Sequence, residues 1–170
     1  MNKALFLDRD GVINVEKDYL YKIEDFEFID GIFNICQYFI NNGYLIIIVT
    51  NQSGIGRGYY TEEEYEDLTS WMLGALYEHG IEVTHVYHCP HHPDITGSCE
   101  CRKPKPGMLL QAAKDFDIDL ENSVMIGDKE RDIEAALNAG LKTTYLFDES
   151  KSVKKSKATM IIDSLKELVC

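Results

Sequence analysis

Asp8 and Asp10 stand two residues apart where the apolar run Ala4-Leu5-Phe6-Leu7 gives way to Gly11. Two carboxylates at the end of a buried strand can lean into one pocket, and a glycine there lets the chain turn. Such a pair can combine a nucleophile or metal ligand with a general acid-base group. The Asp-x-Asp-Gly spacing also fits a calcium loop or a polar turn, but the later acidic ligands of a calcium loop do not follow. Three further segments add matching chemistry: Thr50-Asn51-Gln52-Ser53-Gly54, Arg102-Lys103-Pro104 and Gly127-Asp128-Lys129-Glu130-Arg131-Asp132. Hydroxyl, amide and ammonium donors suit the oxygens of a phosphoryl group, and acidic side chains suit a hard cation. Each has a plain structural reading as well. Thr50 could end a strand or cap a turn, and Asp128 and Asp132 could cap and charge a helix N-terminus. Arg9, between the two aspartates, is expected to point away from both by strand alternation and receives no role.

A second constellation is Cys89-Pro90-His91-His92-Pro93 followed by Cys99-Glu100-Cys101, three thiols and an imidazole within 13 residues. This is the composition of a Cys3His structural zinc site, with Cys89, His91, Cys99 and Cys101 as ligands. Spacing alone leaves His88 and His92 open as alternatives to His91. Four protein ligands leave no position for water, so such a zinc would fix a loop too polar to have a core and hold Arg102 and Lys103 in place. No disulfide is expected. Cys36 reads as a helix-face core residue and Cys170 as a free tail.

The elements that must position these groups follow from the hydrophobic pattern. The 170 residues suffice for one domain spanning 1–170, and 45% hydrophobic with 27% charged residues is ordinary for a globular chain. Apolar runs at Ala4–Leu7 and Tyr44–Val49 read as buried parallel strands; Val83–Tyr87, Ser123–Ile126, Thr143–Phe147 and a weaker Thr159–Ile162 extend the series. Between them lie helical patterns: Ile32 to Ile40 with a stop at Asn42-Gly43, a helix opened by the Thr61–Glu64 capping box and closed by Gly80, one with Pro106 in its first turn, and one closed by Gly140. A short helix ends the chain. The alternation predicts an α/β fold with a doubly wound, mostly parallel sheet, and puts every chemical motif just after a strand. Residues 11–43 leave no room for a large cap domain.

Seventeen basic against 29 acidic residues give a net charge of −12, which disfavours nucleic acid and anionic membrane partners. This speaks against a zinc-dependent nucleic-acid-binding module. A catalytically dead scaffold is disfavoured by the intact acidic groups and Lys103. The longest apolar run is too short to span a bilayer, and the N-terminus lacks a signal-peptide pattern, so a cytoplasmic protein is expected; a monomer is expected as well.

The four motifs, in order, resemble the haloacid dehalogenase superfamily of phosphatases. The resemblance implies Asp8 as a nucleophile forming an aspartyl-phosphate, and Asp10 as the general acid-base group. It further implies Thr50 and Lys103 on the phosphoryl oxygens, Asp132 orienting Lys103, and Mg2+ on Asp8, Asp10 through its backbone carbonyl, and Asp128. With the Cys-His loop and the run Cys101-Arg102-Lys103-Pro104-Lys105-Pro106-Gly107-Met108, the sequence is similar over residues 3–147 to the heptose 1,7-bisphosphate 7-phosphatase family. Those enzymes use catalytic Mg2+ and structural Zn2+ in making the heptose of lipopolysaccharide or surface glycans. By that resemblance, substrate contacts map to Glu16, Lys17, Asp18, Tyr19, Thr50, Asn51, Gln52, Ser53, Arg102, Lys103 and Lys129. Lys103 would serve the transferred phosphate and Arg102 the rest of the ligand. The histidinol-phosphate phosphatases of histidine biosynthesis share the motifs and stand as the alternative.

Overall fold

The computed structural model describes residues 1–169; Cys170 lies outside the described residues. The elements in chain order are β1 (Lys3–Leu7), α1 (Ile32–Asn41), β2 (Tyr44–Asn51), α2 (Ser53–Gly56), α3 (Glu62–Glu78), β3 (Val83–Cys89), α4 (Gly107–Phe116), β4 (Val124–Gly127), α5 (Glu130–Ala139), β5 (Thr143–Phe147) and β6 (Met160–Ile162). Single 3-10 turns occupy Ile23–Asp25, Leu120–Asn122 and Leu165–Leu168, so the expected terminal helix is one such turn.

The strands form one sheet in the order β3-β2-β1-β4-β5-β6, and every neighbouring pair is parallel. After β1 the chain winds outward one way through β2 and β3, then crosses to β4 and winds the other way. The crevice at the carboxyl ends of β1 and β4 is therefore the topological switch point, where open α/β sheets bind ligands. Between β1 and α1 the chain forms loops and one 3-10 turn, with no cap domain.

Alternation along the central strands separates two apolar layers. Leu5, Leu7, Ile46 and Ile48 pack with Ile32, Ile35, Cys36 and Phe39 of α1 and Leu68, Met72 and Leu76 of α3. Ala4, Phe6, Ile47 and Val49 face Met108, Leu109 and Ala112 of α4 and Ala135 and Ala136 of α5. Each fully buried Leu or Ile contributes ~1.5–3 kcal/mol, so these layers anchor the strands whose ends carry the polar motifs. Burial pushes the Cys36 thiol up to about 12, which keeps it protonated and inert.

The helix limits follow the expected signals. Thr61 and Glu64 form the reciprocal cap of α3, with Oγ1 of Thr61 accepting from the Glu64 amide at 3.1 Å and Oε1 of Glu64 accepting from the Thr61 amide at 3.0 Å. α5 ends on Gly140 at φ +106°, a conformation glycine adopts without Cβ strain. Two strands run longer than expected. β2 continues to Asn51 and β3 to Cys89 because the two pair with each other there, Thr50 with His88 and Asn51 with Cys89. Ladder pairing thus overrides the polar character of these residues. It fixes Thr50 and Asn51 in the sheet and seats the first cysteine of the Cys-His loop beside them. Among the described residues no helix is long and apolar enough to cross a membrane.

Candidate active site

Lys103 enters from the loop between β3 and α4 and is 1% exposed. Its Nζ donates to the Val49 carbonyl at 2.9 Å and pairs with Oδ1 of Asp8 at 3.1 Å and Oδ1 of Asp132 at 2.7 Å. Oδ2 of Asp132 accepts from the backbone amides of Asp128 at 3.2 Å and Lys129 at 3.1 Å. Both oxygens of this fully buried carboxylate are therefore committed, one to the ammonium and one to the first turn of α5. Burial pushes the Asp132 carboxyl up, but the Lys103 ammonium and these amides outweigh it and hold it below the usual carboxylate range. Burial alone would lower the Lys103 pKa; Asp132 and Asp8 raise it instead. Asp8 lies well above its ordinary value because of burial and the neighbouring Asp132, with Lys103 opposing.

Asp10 is held differently. Oδ1 accepts from Arg9 Nη2 at 2.9 Å and Asn14 Nδ2 at 3.0 Å, and Oδ2 accepts from Gln52 Nε2 at 3.0 Å. Arg9 corrects the expectation that it points away from both aspartates. The strand ends at Leu7, alternation ceases with it, and the guanidinium folds back onto Asp10, 1% exposed, with a further bond to the Leu20 carbonyl at 3.0 Å. Gln52 Nε2 also reaches Thr50 Oγ1 at 2.9 Å, and Gln52 Oε1 accepts from the Tyr60 hydroxyl. Asn51 spends its amide on Lys103, with Oδ1 accepting from the Lys103 amide at 3.0 Å and Nδ2 donating to its carbonyl at 3.3 Å.

Carboxylate oxygens of Asp8, Asp128 and Asp132 lie within 4.8 Å of one another. Oδ1 of Asp128 is buried with no hydrogen-bond partner, and burial followed by Asp132 pushes this carboxyl up to about 7. An orphaned buried carboxylate oxygen beside Asp8 fits a hard divalent cation, which would supply the missing partner and favour the charged form. Asp132 belongs to the cluster by distance, yet its oxygens are already engaged, and the Asp10 side chain lies outside it. Gly11 borders the same place: at φ +87°, a Cβ on it would lie 2.0 Å from Asp128 Oδ2. Only glycine permits this approach.

A cavity of about 390 Å3 opens over these groups. Of the expected substrate contacts, Glu16, Asp18, Tyr19, Asn51, Gln52, Ser53, Arg102, Lys103 and Lys129 line it. Lys17 does not: its ammonium turns to the Asp25 carbonyl at 2.9 Å and Glu27 at 3.6 Å. Thr50 is fully buried at the end of β2, beneath rather than on the wall. The cavity also includes Arg57, Tyr60 and Arg131, which the motifs did not single out. Arg131 sits inside the Asp128–Asp132 motif, and its basic charge amid acidic neighbours was the available signal. Partial burial, Arg131 and then Arg57 lower the pKa of Arg102.

The sulfurs of Cys89, Cys99 and Cys101 lie within 4.8 Å of one another, and Cys99 Sγ is 3.6 Å from each of the other two. Two thiolates on one tetrahedral zinc stand about 3.8 Å apart, given Zn–S of about 2.3 Å, and both Cys99 separations approach that spacing. The sulfurs of Cys89 and Cys101 are also in contact, and their Cα atoms stand 5.5 Å apart. His91 is not in the sulfur cluster; it follows Cys89 by two residues along the chain leaving β3, and its carbonyl accepts from Arg102 Nη1 at 3.3 Å. His92 is engaged elsewhere, with Nε2 2.6 Å from Arg57 Nη2.

A doubly wound parallel sheet with this acidic and lysine constellation at its switch point defines a HAD-like hydrolase, and a family model described as HAD-hyrolase-like matches residues 100–168. The chain is 55% identical over 149 residues to D-glycero-alpha-D-manno-heptose-1,7-bisphosphate 7-phosphatase of Campylobacter jejuni, covering 88% of this chain and 84% of that protein. It is 43% identical over 175 residues to D-glycero-beta-D-manno-heptose-1,7-bisphosphate 7-phosphatase of Pasteurella multocida, covering 99% and 95%. The crystal structure of D,D-heptose 1.7-bisphosphate phosphatase from B. bronchiseptica, complexed with magnesium and phosphate, matches with a TM-score of 0.83 at 30% identity, over 96% of this chain and 93% of that one. The chain belongs to the D-glycero-D-manno-heptose-1,7-bisphosphate 7-phosphatase family of HAD-like phosphatases.

Proposed function

We propose that this protein removes the 7-phosphate of D-glycero-D-manno-heptose 1,7-bisphosphate in heptose biosynthesis for lipopolysaccharide or surface glycans. It would act as a cytoplasmic monomer. The observation that carries the reading is the Asp8 carboxylate standing 3.1 Å from the buried Lys103 ammonium beneath a cavity of about 390 Å3, with Asp10 held alongside.

In this reading an oxygen of Asp8 attacks phosphorus, the bond from phosphorus to the C7 oxygen breaks, and Asp10 gives that oxygen a proton. Asp10 then takes a proton from the water that attacks the aspartyl-phosphate, and inorganic phosphate leaves with Asp8 restored. Lys103 and Thr50 hold phosphoryl oxygens. Asp132 keeps the Lys103 ammonium charged and aimed, and Arg9, Asn14 and Gln52 orient Asp10. Asp8, Asp128 and the backbone carbonyl of Asp10 would hold Mg2+, which supplies positive charge that offsets the repulsion between the anionic nucleophile and the phosphate. Cys89, Cys99 and Cys101 in their thiolate form, with His91 as the fourth ligand, would hold a structural Zn2+ that secures the loop leading to Arg102 and Lys103.

The test is phosphate release from both anomers of heptose 1,7-bisphosphate and from histidinol phosphate, with identification of the sugar product. Higher kcat/KM on a bisphosphate, leaving a heptose 1-phosphate, is the expected result. Higher kcat/KM on histidinol phosphate would replace this reading with histidinol-phosphate hydrolysis.

A further inference from the structure

We propose that the Tyr60 hydroxyl is a positioning group for the acid-base step: acting through the Gln52 amide, it aims the one oxygen of Asp10 that handles the proton. The inference rests on the reading of Asp10 as general acid and base. It goes beyond that reading by assigning the task to a single oxygen and tracing what holds it.

The two oxygens of Asp10 are not equivalent. Oδ1 accepts from Arg9 Nε at 3.3 Å, Arg9 Nη2 at 2.9 Å and Asn14 Nδ2 at 3.0 Å, which fills its lone pairs. Oδ2 accepts only from Gln52 Nε2, at 3.0 Å, among the described residues. A lone pair therefore stays free on Oδ2, and Asp10 borders the cavity. Oδ2 is the oxygen that gives a proton to the leaving alkoxide as its bond to phosphorus breaks. It later takes a proton from the water that attacks the aspartyl-phosphate.

Gln52 is 2% exposed, and its amide is committed inside the protein. Nε2 donates to Asp10 Oδ2 and, at 2.9 Å, to Thr50 Oγ1, while Oε1 accepts from the Tyr60 hydroxyl. The Gln52 backbone amide is fixed as well, donating to the Cys89 carbonyl at 2.7 Å. Turned over, the side-chain amide would set Oε1 against the Asp10 carboxylate, so this orientation is the one that serves Asp10.

Tyr60 is held as firmly as the amide it serves. It is 4% exposed and stands just before Thr61, the cap of α3. Its ring stacks on Tyr21, with centroids 5.4 Å apart and planes 12° apart. One edge lies against Gly54, where a Cβ would stand 2.2 Å from Tyr60 Cε1. Burial pushes the phenol well above its ordinary value, with Arg9 opposing, so the hydroxyl keeps its proton and donates it. Without that hydroxyl, Oε1 of Gln52 would be a buried acceptor with no partner. The amide relieves that loss by turning away from Asp10.

The experiment measures Asp8 phosphorylation by rapid acid quenching in single turnovers of the Mg2+-loaded enzyme with two donors. One is an alkyl phosphate, heptose 1,7-bisphosphate or histidinol phosphate, whichever wild type hydrolyses faster; its alkoxide needs a proton to leave. The other is acetyl phosphate, whose acetate leaves without one. The readout is the ratio of the two rates, alkyl over acetyl, which cancels losses common to both, such as a shift of Thr50. Tyr60→Phe keeps the ring and its stacking, and its ratio is expected to fall about 10-fold. Gln52→Met, which keeps the side-chain shape without the amide, should lower the ratio too. The double variant should fall no further than Gln52→Met alone, because Tyr60 acts through Gln52. A wild-type ratio in either single variant, or losses that multiply in the double variant, would overturn the proposal and leave the role of Asp10 standing. A wild-type ratio in Asp10→Asn would overturn the acid-base reading and the proposal with it.

Discussion

The side-chain amide of Asn51 pairs with the backbone of Lys103 at both ends, Oδ1 accepting from the Lys103 amide at 3.0 Å and Nδ2 donating to its carbonyl at 3.3 Å. A side chain at the end of β2 thus fastens a residue 52 positions away, just where a loop would otherwise let the lysine wander. Asn51→Ala is expected to lower kcat about 10-fold or more, since a displaced ammonium no longer holds the transferred phosphate. Steady-state kinetics with thermal melting would check this: a large fall in kcat with a small fall in Tm is expected, and unchanged kcat would remove Asn51 from the positioning apparatus.

Asp132 and Lys103 form a pair with almost no exposure, 0% and 1%. Asp132→Asn should leave the ammonium underpaired and lower unfolding free energy by on the order of 3 kcal/mol, the usual cost of breaking a buried pair from one side. Denaturant unfolding measures this directly. A loss below about 1 kcal/mol would show that Asp8 alone suffices to pair the lysine.

The acidic cluster makes a pH prediction for the metal-free protein. Asp128 is raised to about 7 by burial and by Asp132, and Asp8 is raised by the same causes. Between the ordinary aspartate value of about 3.9 and neutrality the folded state holds more protons than the unfolded one, so stability falls as pH rises through this window. Chelator-treated protein should therefore lose Tm from pH 4.5 to 7. Mg2+ should restore stability at pH 7, and Asp128→Asn should flatten the slope. A Tm of the metal-free protein that rises steadily over the same interval would contradict the assignment.

Much of this architecture was legible in the sequence because the strands are continuous apolar runs and their ends carry unlike polar groups. Ala4–Leu7 and the Asp8-Arg9-Asp10 that follows could be read as strand and site with no knowledge of the tertiary fold. What escaped depends on contacts that sequence spacing does not encode. Arg9 departs from strand alternation because alternation applies only while the strand lasts, and the strand stops at Leu7. Lys17 sits among genuine cavity residues, yet a nearby carbonyl and Glu27 hold it aside. Arg57 lies outside every motif, and only the fold brings it near Arg102 and Arg131. Similarly, β2 and β3 overrun their apolar stretches because each supplies the other's hydrogen bonds.

The cysteine loop carries its own prediction. Protein purified under reducing conditions should contain one zinc per chain by elemental analysis, and Cys99→Ser should lower both zinc content and Tm. Activity should fall with them, because the loop runs directly from Cys101 into Arg102 and Lys103. Full zinc content and unchanged Tm in Cys99→Ser would exclude that cysteine as a ligand.

The central claim is that Asp8 becomes covalently phosphorylated. Acid quenching during turnover of heptose 1,7-bisphosphate, followed by peptide mass analysis, measures it directly. A phosphoryl group on Asp8 is expected in wild type, more of it in Asp10→Asn, where hydrolysis of the intermediate should slow ~10²–10⁴-fold, and none in Asp8→Asn, which should also be inactive. Turnover in Asp8→Asn above about a hundredth of the wild-type rate, well outside the loss expected for a missing nucleophile, would contradict the account.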